Sequence, residues 1–192
     1  MHSNSQDSVI IVAGLPRSGT SMMMRILEAG GVTALTDGVR EADISNPRGY
    51  YEFEPVKRTK TDPSWLSSAR GKAVKMVYRL LYDLPPNYNY RILLMHRTLM
   101  EVLSSQRAML QHQQNDDAVE DAKMIDIYRR ELANLETWFQ KQVNFSKLDV
   151  NYNELVKTPA PQVDRIVEFL GMDLDQAVMA GVVDIKLYRN RR

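Results

Sequence analysis

Residues 9–21 read VIIVAGLPRSGTS, and this stretch decides the fold. An apolar, largely β-branched run, Val9–Ala13, enters a glycine-bearing loop that opens a helical pattern. A run so short falls far below the roughly 18 apolar residues of a membrane span, and it reads as a strand buried on both faces. Small residues across Gly14–Ser21 let the backbone curl so that several N–H groups point inward. The helix N-terminus adds its positive dipole end, and the two together bind an anion. Gly14 and Gly19 have the spacing of a nucleotide-triphosphatase loop, G-x-x-x-x-G-K-[ST]. Thr20 stands where that loop carries lysine, Ser21 keeps the final hydroxyl, and the cation lies inside the loop as Arg17. Loss of the lysine removes the charge that neutralises a transferred phosphoryl group.

Outward from this corner, apolar runs at Ser8–Ala13, Ala73–Val77 and Arg91–Met95 read as strands, with a weaker fourth at Ser146–Asn151. Each precedes a helical pattern. Helix one is expected over Gly19–Ala29, with Met22, Met23, Ile26 and Leu27 toward the sheet and Gly30-Gly31 as its stop. Ile125, Tyr128, Leu132, Leu135 and Phe139 form one stripe of a long helix over Val119–Gln142. A further helix covers Ala160–Leu170 and ends at Gly171. Strands alternating with helices predict an α/β fold of P-loop type: a three-layer sandwich whose central parallel sheet has about four to five strands.

The 192 residues suit a single domain, 1–192, with residues 1–7 as a loose tail. Residues 33–65 are polar, hold Pro47, Gly49, Pro55 and Pro63, and lack a long period. So long a connection after the phosphate loop's helix is expected to serve the ligand crevice on the acceptor side. A formal charge of +1 argues against a polyanion partner such as nucleic acid held by bulk charge. With no cysteine and three isolated histidines, disulfides and thiolate metal sites are excluded. A cytoplasmic location fits that composition, and residues 1–8 lack the basic start of a signal peptide.

Pro16-Arg-Ser-Gly-Thr-Ser21 at a strand–helix corner resembles the 5′-phosphosulfate loop, P-[KR]-S-G-T-[ST], of sulfotransferases that use 3′-phosphoadenosine 5′-phosphosulfate (PAPS). The resemblance implies that Pro16, Arg17, Ser18, Gly19, Thr20 and Ser21 hold the donor's 5′ side. The same family places an arginine after a later strand, with a serine eight positions on, to hold the 3′-phosphate. Arg97 and Ser105 have that spacing, although Leu99 and Glu101 depart from the family's R-x-P-x-D. DVNYNELVKTPAPQVDRIVEFLGM and NPRGYYEFE resemble segments of the family's small bacterial branch, as does the terminal LYRNRR. The last would bring Arg189 or Arg191 near the 3′-phosphate.

What the resemblance implies is sulfuryl transfer, without a metal, to a small-molecule or carbohydrate acceptor by a monomer or homodimer. Arg17 would stabilise charge on the leaving phosphate. Lys75 matches the approximate place of a family lysine with the same task, and a structural lysine at the strand's edge is an equal reading. Animal members use a histidine after the second strand as base, a place that here reads KMVYRL. Several carbohydrate and bacterial members use a glutamate instead, so the resemblance points to Glu41, which matches some bacterial members by its distance from the phosphate loop, or to Glu52, in the more distinctive setting GYYEFE, with Glu54 third. Tyr50, Tyr51, Phe53 and Trp65 would line an acceptor pocket or form the loop's own small core. Two other readings stay open. One is a variant P-loop kinase or nucleotide triphosphatase using Asp83 or Asp149 for magnesium. The other is a nucleotide-binding module without turnover.

Overall fold

The computed structural model describes residues 7–39, 49–112 and 121–183. Five strands form one parallel sheet in the order β2-β3-β1-β4-β5. They are β1 (Ser8–Gly14), β2 (Ala34–Leu35), β3 (Ala73–Val77), β4 (Asn89–His96) and β5 (Phe145–Asn151). The helices are α1 (Thr20–Ala29), α2 (Leu99–His112), α3 (Asp121–Phe139), α4 (Tyr152–Lys157), α5 (Pro159–Leu170) and α6 (Gln176–Gly181). All seven residues of β1 are buried, as a central parallel strand requires.

The alternation along β1 and β4 builds two cores. Ile10, Val12, Leu93 and Met95 face α1, α4, α5 and α6 on one side. Ile11, Ala13, Ile92 and Leu94 face Val102 of α2 and Leu135 and Phe139 of α3 on the other. This is the three-layer α/β sandwich expected. The chain leaves β1 for one side of the sheet and β4 for the other. Right-handed crossovers then carry their helices to opposite faces, and a crevice opens at the carboxyl ends of β1 and β4.

β2, only two residues long, pairs with the start of β3 and has no pattern long enough to read in sequence. In the later part of residues 33–65 and just beyond it, short 3₁₀ segments occupy Glu54–Arg58 and Ser64–Ser68. Trp65 is buried, donates its ring N–H to Thr59 Oγ1 at 3.1 Å, and meets Phe53 edge-on. These two aromatics thus belong to the core beneath the segment. The α3 stripe is fully buried only at Leu135 and Phe139, while Tyr128 and Leu132 are half-buried against the same core. Helix α5 ends at Gly171, whose φ of 57° permits the left-handed cap.

Candidate active site

Register brings the site together. Gly14, at the end of β1, lies level with Val77 of β3 and Met95 of β4. Met95 in turn lies level with Val150 of β5. Three connections therefore leave the sheet side by side: the candidate phosphate loop after Gly14, Arg97 after β4, and Tyr152 after β5.

The loop after Gly14 is tightly folded. Ser18 N–H donates to Leu15 O at 3.1 Å, and both Arg17 (φ 73°) and Gly19 (φ 100°) are left-handed. Gly14 is required by close approach, since a Cβ there would lie 2.5 Å from Ser18 Oγ and 2.8 Å from Met95 O. At Gly19 a Cβ would lie 2.3 Å from Tyr152 Cδ2. Gly19 is also the N-cap of α1 and supplies no side-chain oxygen. The first-turn N–H groups of α1, from Thr20 and Ser21 onward, have no intrahelical acceptor. Ser18 is 1% exposed, and its hydroxyl has no hydrogen-bond partner among the described residues. A buried, unpaired hydroxyl beside a left-handed turn and an uncapped helix start suits an anionic oxygen.

Arg17 reaches across the crevice, its Nε donating to Ser105 Oγ at 2.9 Å. Ser105 itself is buried. Arg97 Nη1 donates back to Arg17 O at 3.2 Å. Its Nε donates to Glu101 Oε2 at 2.9 Å, and its guanidinium lies 4.5 Å from the centre of the Tyr152 ring. Asn153 Nδ2 donates to both carboxylate oxygens of Glu101 at 3.1 Å. Gln106 Nε2 donates to Pro16 O at 3.3 Å and fastens the loop's exposed corner to α2. Burial raises the Tyr152 phenol above its ordinary pKa, with Arg97 opposing the shift. The ring therefore stays neutral beneath the cation.

A second cluster borders the loop on the β3 side. Lys75 Nζ donates to Tyr50 O, lies 5.8 Å from the Tyr50 ring centre and stands 4.0 Å from Glu52 Oε1. Ser21 Oγ donates to the same Tyr50 carbonyl at 3.2 Å. Gly49 and Tyr51 are left-handed, with φ of 87° and 54°. Tyr51 donates its hydroxyl to Glu28 Oε2 at 2.5 Å. Burial, and then that carboxylate, push the Tyr51 phenol upward. Glu54 turns instead to Lys57, at 2.5 Å on the surface.

Of the residues expected from sequence, the phosphate loop, Arg97, Ser105, Lys75 and Glu52 border this crevice. Glu41, Arg189 and Arg191 lie outside the described residues. Asp149 points its carboxylate to His96 Nε2 and Lys147 Nζ, each 2.6 Å away. Among the described residues no group of three His, Asp or Glu side chains is arranged to hold a metal ion. No described helix is long and apolar enough to cross a membrane. Tyr152 and Asn153 were not foreseen. They follow a short strand, and only the β4–β5 register brings them to Arg97. Glu101 carried a signal in its four-residue spacing from Arg97, where opposite charges attract along a helix start.

Comparison with known proteins follows this geometry. The profile of the sulfotransferase family matches residues 79–176, from before β4 to the start of α6. The fold is similar to "Sulfotransferase Domain from the Curacin Biosynthetic Pathway", with a TM-score of 0.54 and 15% identity over 95% of this chain and 86% of that one. It is also similar to mouse sulfotransferase SULT7A1 complexed with PAP, with a TM-score of 0.52 and 17% identity over 94% of this chain and 63% of that one. No curated protein sequence matches the chain. With half its length matched by the profile and its fold shared with solved sulfotransferases, the chain belongs to the sulfotransferase family.

Proposed function

We propose that the protein transfers a sulfuryl group from PAPS to a hydroxyl or amine of a small-molecule or carbohydrate acceptor. The observation that carries this reading is the convergence of two anion-seeking groups of residues at the ends of β1 and β4. The Ser18 hydroxyl and the first-turn N–H groups of α1, from Thr20 and Ser21, supply donors on one side. Arg97 and Ser105 stand on the other, joined to the loop through Arg17. A nucleotide with anions on both its 5′ and 3′ sides matches that pairing. The fit does not call for the Walker lysine, which Thr20 replaces.

PAPS supplies the sulfuryl group. The acceptor oxygen or nitrogen forms a bond to sulfur, and the bond from sulfur to the bridging oxygen breaks. The leaving electron pair stays on the 5′-phosphate, giving adenosine 3′,5′-bisphosphate. Arg17 lies within the loop and Lys75 shares the Tyr50 carbonyl with Ser21, and their proposed task is to stabilise negative charge on that phosphate. The first-turn N–H groups of α1 act in the same sense. Glu52, 4.0 Å from Lys75, is the proposed general base and takes the acceptor's proton. Lys75 keeps this carboxylate close to the loop without burying it as an isolated charge.

Calorimetry tests the reading directly. Adenosine 3′,5′-bisphosphate is expected to bind without metal and more tightly than ATP–magnesium. The reverse order would sink the proposal in favour of a variant kinase or nucleotide triphosphatase. Sulfuryl transfer to a broad acceptor panel, present in the wild type and lost in Arg17→Ala, would separate an enzyme from a binding module.

A further inference from the structure

We infer that Glu101 and Asn153 are positioning residues that hold the Arg97 guanidinium for a nucleotide 3′-phosphate and, through Arg97, couple that site to the phosphate loop. The inference rests on the functional reading above. It concerns residues that would not touch the nucleotide themselves.

Arg97 and Glu101 form a buried ion pair, their side chains 8% and 4% exposed. Burying a cation and an anion is costly, and their attraction repays it only with good geometry and further hydrogen bonds. Those bonds are present. Glu101 takes Arg97 Nε on Oε2 and Asn153 Nδ2 on both oxygens. The Tyr152 ring supports the guanidinium's flat face. Arg97 is thereby fixed along its Nε edge and on one face. Its Nη1 hydrogen bond ends on the carbonyl of Arg17, a left-handed residue inside the phosphate loop. A shift of Arg97 is therefore felt where the 5′-phosphate would sit. The supports come from three places in the chain: the start of α2, the start of α4 and the loop itself.

The chemistry of the pair gives a selective perturbation. Glu101→Gln keeps the size of the side chain, and Asn153 can turn its amide so that its buried Oδ1 meets the new one; what is lost is the negative charge paired with Arg97. Adding Asn153→Asp restores that charge beside the guanidinium. The amide introduced at position 101 can then donate to the carboxylate introduced at position 153, while its oxygen accepts from Arg97.

Binding of adenosine 3′,5′-bisphosphate, adenosine 5′-monophosphate and adenosine 3′-monophosphate is measured by calorimetry, with thermal melts to verify folding. The wild type is expected to favour the bisphosphate over the 5′-monophosphate. Glu101→Gln is expected to lower bisphosphate affinity about tenfold or more, the scale of one hydrogen bond to a charged group. Affinity for the 5′-monophosphate should fall as well, but only about two- to fivefold, through the Arg17 carbonyl. The double variant Glu101→Gln/Asn153→Asp is expected to recover most of the preference for the bisphosphate. A folded Glu101→Gln that keeps the wild-type preference overturns this inference and leaves the functional reading standing. A wild type indifferent to the 3′-phosphate overturns both. If Glu101→Gln does not fold, the comparison passes to Asn153→Ala, for which unchanged affinities overturn the inference.

Discussion

Arg17 Nε donates to the hydroxyl of Ser105 at 2.9 Å, joining the phosphate loop to a buried position in α2. The bond gives Arg17 a defined direction despite the freedom of its long side chain. Arg17→Ala is expected to lower kcat by about 10²–10³-fold, the usual scale for losing a group that meets charge in the transition state. Ser105→Ala should cost less, because the guanidinium remains but loses its guide. Steady-state transfer assays check both, and equal losses in the two variants would remove the charge-stabilising role from Arg17.

Gly19 and Gly31 allow a controlled comparison. Both are left-handed, at φ 100° and 104°, but a Cβ on Gly31 meets nothing within 4 Å while one on Gly19 strikes the Tyr152 ring. Gly31→Ala is expected to cost about 1 kcal/mol from backbone conformation alone. Gly19→Ala should cost about 1–3 kcal/mol more, through the clash, and should also displace the ring beneath Arg97. Urea unfolding of the two variants measures the difference, and equal losses would show that Tyr152 yields freely.

Glu52→Gln keeps the shape of the side chain and removes its basicity. It is expected to lower kcat about 10²-fold. Affinity for adenosine 3′,5′-bisphosphate should stay within about twofold, since the group serves the acceptor. Parallel loss of nucleotide affinity would mean instead that the 4.0 Å contact with Lys75 is structural.

Asp149, paired with the His96 that precedes Arg97, provides a pH signature. The hydrogen bond with His96, and then that with Lys147, pull its carboxyl from 3.8 down to about 2 in the folded protein. A carboxyl held below its unfolded value binds protons more weakly when folded. Its stabilisation is therefore complete above about pH 4 and is lost as pH falls toward 2. Asp149→Asn should melt below the wild type at neutral pH, and the gap should close across that acid window. Thermal melts between pH 2 and 7 provide the check, and a gap independent of pH would exclude the linkage.

The sheet was readable from sequence because its central strands are buried on both faces. Val9–Ala13, Val74 and Ile92–Met95 must be apolar without interruption, and that pattern is local. β2 escaped notice because two residues carry no period. The aromatics of residues 50–65 were ambiguous because apolar area alone does not say which way a ring turns. Trp65 and Phe53 turn inward to the core, while Tyr51 stays half-buried with its hydroxyl on Glu28.

The candidate site divides along the same line. By itself the sequence marked Gly14–Ser21 as a candidate phosphate loop, because glycine spacing, an internal arginine and a strand–helix corner are all properties of contiguous residues. It marked Arg97 and Ser105 only through their resemblance to the family's second signature. Only the tertiary structure decided that Arg17 meets Ser105, that Arg97 braces the Arg17 carbonyl, and that Tyr152, Glu101 and Asn153 gather around Arg97. The reason is register: Gly14, Met95 and Val150 end their strands at one level, and no local pattern records which strands will stand side by side.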